Sequence, residues 1–106
     1  MKKNKLSEMV GGWFIGDFEP SLLKSKDFEV AVKNYKKGDY EESHHHKIST
    51  EYTVILNGNV KMNNIEQGPG SILTIHPMES TDFLALTDVT TIVVKIPSSK
   101  NDKYLD

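Results

Sequence analysis

No window of this chain holds a convincing amphipathic helix. Short β-rich runs are instead cut by turn residues at roughly 8–12-residue spacing, the pattern of an all-β sandwich or barrel. Glu51 to Leu56 is rich in β-formers, and Asn57-Gly58 tolerates the positive φ of a tight hairpin, with Asn59 to Met62 as the return strand. Asn63-Asn64 invites a second hairpin, Gly68-Pro69-Gly70 marks a sharp turn, and Ser71 to Ile75 reads as a strand halted by Pro77. Thr81 to Leu86 and Thr90 to Ile96, with Thr87-Asp88 between them, complete the series. Upstream, Phe28, Val30 and Val32 alternate with Glu29, Ala31 and Lys33 as in a half-buried strand, and Ser21 to Asp27 has room for one helical turn. Trp13, Phe14, Ile15 and Phe18, set among glycines, suit an edge strand or arm.

At 106 residues the chain is expected to form a single domain, 1–106, with residues 1–20 as an N-terminal strand or arm and 98–106 as a polar tail over the surface or a barrel opening. The arm is apolar enough to suggest a partner subunit, and aromatic residues are enriched in interface cores. The chain has no cysteine, which excludes a disulfide framework and thiolate chemistry and fits a reducing cytoplasm. Thirteen basic residues against fifteen acidic ones give a net charge of -2, and the lysines are dispersed, so nucleic acid is not an expected partner. Gly11, Gly12 and Gly16 break the one apolar stretch after the basic start, so neither a signal sequence nor a membrane span is expected.

The residues with most chemistry are His44-His45-His46. Side chains alternate along a strand, so His44 and His46 share a face that His45 does not. Two imidazoles at i and i+2 can reach one ion, and Glu51, five residues beyond His46, can return a carboxylate to the same point. Two histidines and one carboxylate with open positions suit iron, manganese, nickel or zinc. The plain alternative is a solvated polar strand beside Glu41 and Glu42.

The spacing adds to this. Gly38, five residues, His44, one residue, His46, four residues, Glu51, six residues and Gly58 resemble the first signature of the cupin superfamily, G-x5-H-x-H-x3,4-E-x6-G, at every named position. The second signature, G-x5-P-x-G-x2-H-x3-N, begins at Gly70 and then decays: its proline, glycine and histidine positions hold His76, Met78 and Thr81. The resemblance implies a cupin-type double-stranded β-helix, a jelly-roll barrel with a pocket in its mouth, and a homodimer. It also implies a divalent metal on His44, His46 and Glu51.

Candidates to replace the missing histidine are His76, entering from a turn, and Asp82, one position beyond Thr81 and reached only by a register shift or bulge. Thr53 and Ile55 share the face of Glu51, and Phe83 shares that of Thr81, so these four residues are expected to line the pocket. The reading is a small cupin that binds a divalent metal and a small polar or carbohydrate-like ligand, with metal-dependent catalysis left open. Two other functions use the same residues: a non-catalytic ligand-binding module, and a metal-free sugar isomerase or epimerase with a histidine base and a tyrosine acid.

Overall fold

A computed structural model describes residues Met1–Asp106. After a short 3-10 turn at Leu6–Glu8, the chain forms ten strands. They are β1 (Trp13–Ile15), β2 (Glu29–Tyr35), β3 (Tyr40–His45), β4 (Thr50–Asn57), β5 (Val60–Met62), β6 (Ile65–Gln67), β7 (Ile72–Ile75), β8 (Thr81–Ala85), β9 (Val89–Ile96) and β10 (Tyr104–Leu105). They make two five-stranded antiparallel sheets, ordered β1-β2-β9-β4-β7 and β10-β3-β8-β5-β6. No helical turn forms over Ser21 to Asp27. No helix is long and apolar enough to cross a membrane.

Two turns read as similar in the sequence do different work. Asn63 and Asn64, at φ 49° and 67°, join β5 to β6 as a true hairpin. Asn57-Gly58, expected to be one, instead carries the chain from one sheet to the other, because β4 pairs with β7 and β9 while β5 pairs with β6 and β8. Gly58 sits at φ 80°, and a Cβ there would lie 2.1 Å from the Asp88 carbonyl oxygen, so the crossing requires glycine. Thr87-Asp88 makes the reverse crossing from β8 to β9.

Apolar packing is concentrated at one end of the sandwich. Ile55, Val60, Met62, Ile75, Phe83, Ala85 and Val89 form the buried cluster, with Tyr35 and Leu73 against it. Along the inward face of each long strand the side chains then grow more polar. β4 runs from Ile55 through Thr53 to Glu51, β9 from Val89 through Thr91 and Val93 to Lys95, and β8 from Phe83 to Thr81.

In β2 the inward residues are Ala31, Lys33 and Tyr35, with Val30 and Val32 outside, the reverse of what apolar alternation suggests. The reversal has a physical reason: the interior at this end is a polar cavity, and the exterior of the sheet is apolar. Across that exterior, Val30 pairs with Val94 and Val94 with Tyr52, while Val32, Ile92, Val54 and Ile72 form a second continuous row.

Candidate functional site

β3 and β8 hold the histidine strand in place, and their pairing is irregular. Glu41 faces Phe83 and His44 faces Thr81, so three steps along β3 oppose two along β8. This bulge offsets the alternation, and both Glu41 and His44 line the same cavity although they lie an odd number of residues apart. The cavity has a volume of about 170 Å³. His44, Glu51, Thr53, Thr81 and Phe83 are all in its wall. Ile55, expected beside them, lies deeper and is fully buried in the apolar cluster.

His46, just past the end of β3, is 4% exposed. Its ring stands 5.3 Å, centroid to centroid, from that of His44 and lines an adjoining cavity of about 180 Å³ with Ser49 and Asp102. His45 points away, its ring stacked on Tyr104 and its Nδ1 2.7 Å from Asp106 Oδ1.

The hydrogen bonds fix the tautomers. His44 Nδ1 donates to the Glu42 carbonyl at 2.9 Å, and His46 Nδ1 donates to the Asp102 carbonyl. A carbonyl can only accept, so each Nδ1 carries a hydrogen and each neutral ring presents a lone pair at Nε2. His46 Nε2 is buried without a hydrogen-bond partner, 3.5 Å from Glu51 Oε1. Two acceptors so placed repel unless a proton or a metal cation lies with them. Burial alone would raise the Glu51 pKa, but with a proton there His46, the charge of Lys95 and the Thr53 hydroxyl outweigh it and hold the carboxyl below its ordinary value. Thr53 donates to Glu51 Oε2 at 2.8 Å.

The donor chemistry therefore suits a divalent ion: two imidazole lone pairs, each oriented by a backbone carbonyl, and a carboxylate. The side chains do not converge as they stand, since no group of three His, Asp or Glu side chains is placed to hold a metal ion. Neither proposed replacement ligand reaches the cavity. His76 is exposed on its turn, its backbone N–H bonded to Glu79, and Asp82 turns to the other face of β8, where it accepts from the Asn63 amide at 2.7 Å.

Several residues around the site had no motif to announce them. Glu41 accepts a 2.5 Å hydrogen bond from the Tyr35 hydroxyl, and burial, together with Glu41, raises the pKa of that phenol. Lys33, Lys95, Lys103 and Trp13 also line the main cavity. Burial lowers the pKa of Lys33, Glu41 opposes this, and the charges of Lys95 and Lys103 lower it further.

The C-terminal residues strap the mouth. β10 pairs with β3 through Tyr104–His45 and Leu105–His44. The Asp102 carboxylate accepts from the backbone amides of Lys47, Ile48 and Ser49. The sequence presents this segment as a polar tail; its function as a strap depends on the pairing with β3.

No family model matches the sequence, and no curated relative does. Solved structures do match. A Klebsiella pneumoniae protein described as having a double-stranded beta-helix domain is 18% identical with a TM-score of 0.72, covering 98% of this chain and 90% of its own. A sugar phosphate isomerase from a cupin superfamily, from Silicibacter pomeroyi, is 18% identical with a TM-score of 0.61, covering 66% of this chain and 50% of its own. Oxalate decarboxylase from Bacillus subtilis is 17% identical with a TM-score of 0.67, covering 76% of this chain. The match spans only 24% of the decarboxylase. The fold is thus the double-stranded β-helix of the cupins.

Proposed function

We propose that this small cupin-fold barrel binds a divalent cation through His44, His46 and Glu51 and a small polar ligand in the cavity lined by His44, Glu51 and Phe83. The observation that carries the reading is the unpartnered, buried Nε2 of His46 facing the Glu51 carboxylate. A cation relieves that opposition, and His44 presents the same tautomer on the same side. When bound, such an ion supplies Lewis acidity to a ligand oxygen. Thr53 and Asp102 orient Glu51 and His46, and Phe83 and Val93 form the apolar wall. Solved structures with this fold include a decarboxylase and a sugar phosphate isomerase, which supports small-molecule chemistry as the use of the fold.

The reading extends to a homodimer in the cytoplasm. The outer face of the β1-β2-β9-β4-β7 sheet carries the two apolar rows, with Ile72 66% exposed, and a second copy is the occupant proposed for it. The absence of cysteine suits a reducing compartment.

A second reading, a metal-free ligand-binding module, is favoured by the failure of the three donors to converge. Elemental analysis of untagged protein, purified without chelator, separates the two. Near-stoichiometric iron, manganese, nickel or zinc that is lost in His44→Ala supports the metal site. A protein that is empty and takes up no added metal leaves the metal-free module.

A further inference from the structure

Three lysines project into the main cavity from three different parts of the chain: Lys33 on β2, Lys95 on β9 and Lys103 in the strap. None has a carboxylate within ion-pair distance, for the ion pairs of the chain involve Lys24, Lys100, His45 and His46. The Nζ atoms of Lys33 and Lys95 instead lie 5.5 and 5.1 Å from the centre of the Trp13 ring, over the same indole. Like charges are thus gathered at one mouth.

The two carboxylates of the cavity accept from neighbouring hydroxyls, Glu41 from Tyr35 and Glu51 from Thr53. Deeper in, the Thr91 side chain, 1% exposed and in the cavity wall, has an Oγ1 with no hydrogen-bond partner. Unpaired cations at the rim and an unpaired buried hydroxyl below are complementary to the two ends of one small polar anion.

We infer that the cavity binds a small organic carboxylate, its charge held by Lys33, Lys95 and Lys103 beneath Trp13 and its body reaching the Thr91 hydroxyl. The inference rests on the cavity being a ligand site, as proposed above, but not on the metal. Phe83, Val93 and Met62 in the wall call for a carbon body, which inorganic phosphate lacks. All 13 basic residues of the chain are lysines, so no guanidinium fork is present for bidentate phosphate recognition. The cavity volume, about 170 Å³, is below the roughly 300 Å³ at which drug-sized ligand pockets begin, which limits the acid to a few carbons.

Trp13 is the only tryptophan and lines both this cavity and the adjoining one, so its fluorescence reports on this end of the barrel, and the lysine variants assign the response to the cavity. Full-length protein, stripped of metal and dialysed, is titrated at constant ionic strength with acetate, malonate, succinate and gluconate, and separately with inorganic phosphate and glucose. The expected result is a saturable change with at least one acid. Its dissociation constant rises tenfold or more in Lys33→Met and in Lys95→Met and is unchanged in Lys24→Met, with folding of each variant checked by circular dichroism.

A saturable response to none of the acids, an equal response to glucose or phosphate, or unaltered constants in the Lys33 and Lys95 variants would overturn the inference. Acid binding that needs loaded metal and ignores the lysines would also overturn it while leaving the metal site standing. Metal content, read separately in His44→Ala, keeps the two failures distinct.

Discussion

His44 and Thr81 stand directly opposite one another where β3 pairs with β8. Side chains so opposed have Cβ atoms about 4.5–5.5 Å apart, so an imidazole at position 81 would share the cavity with that of His44. Thr81→His is expected to raise divalent-ion affinity at least tenfold, or about 1.4 kcal/mol. Asp82→His, on the opposite face, should change nothing. Competition against a chromophoric chelator measures both, and an equal gain in the two variants would show that the histidines chelate at the surface.

Face alternation separates the three histidines. His44→Ala and His46→Ala should each lose bound metal, while His45→Ala should retain it. The last variant should instead loosen the strap, because His45 holds Asp106 and stacks on Tyr104. Metal content together with limited proteolysis of the C-terminus reads out both effects, and equal metal loss in all three would refute the assignment of faces.

Strap docking should depend on pH at the acid end. Burial opposes ionisation of Asp102, but the amides of Ser49, Lys47 and Ile48 outweigh it and lower its pKa, while Ser43, Ser80 and His45 lower that of Asp106 to about 2. Carboxyls lowered on folding stabilise the folded state above their unfolded values, near about 3.9, and that contribution is lost as pH falls through the folded ones. Hydrogen exchange at Lys47, Ile48 and Ser49 should therefore accelerate between about pH 4 and pH 2, ahead of the core strands. At neutral pH, Asp102→Ala should cost about 2–3 kcal/mol by orphaning the same amides. Unchanged protection at pH 2 would mean that backbone pairing alone holds the strap.

Val54 lies at the centre of an apolar row, between Ile92 and Ile72. Val54→Lys should convert a dimer to a folded monomer in sedimentation velocity, with its circular dichroism unchanged. A wild-type protein that sediments as a monomer would remove the dimer.

Gly58 closes the first signature, yet it makes no contact with the site. Gly58→Ala should cost about 3 kcal/mol in urea unfolding through left-handed strain, with more from the Asp88 carbonyl, while the variant, where folded, retains its metal.

The fold class was legible in the chain, as was the gathering of chemistry on His44, His46 and Glu51, since turn chemistry and motif spacing are local properties; that His44 stands opposite Thr81 was not. What escaped was set by pairing at a distance. Lys33 reads as the exposed half of an alternation whose apolar half is Val30 and Val32. The structure inverts this because period 2 identifies two faces without saying which one lies inside. Glu41 reads as surface until the β3 bulge turns it inward, and no residue pattern announces that bulge. Asn57-Gly58 shows a readiness to turn but not which strands will flank the turn. Asp102 enters only through β10, a strand of two residues with nothing in its composition to predict it.

His44 belongs to the β10-β3-β8-β5-β6 sheet and Glu51 to the other, and the apolar cluster that joins the two sheets lies at the far end. The polar end is thus held by the strap and the β3–β4 connection rather than by apolar packing, and an occupant shared by His44 and Glu51 becomes a clasp across it. Its binding energy then adds to the cohesion of the two sheets, about 2.7 kcal/mol at a hundredfold excess over the dissociation constant. Empty and filled, the barrel should differ less in shape than in how readily its mouth breathes.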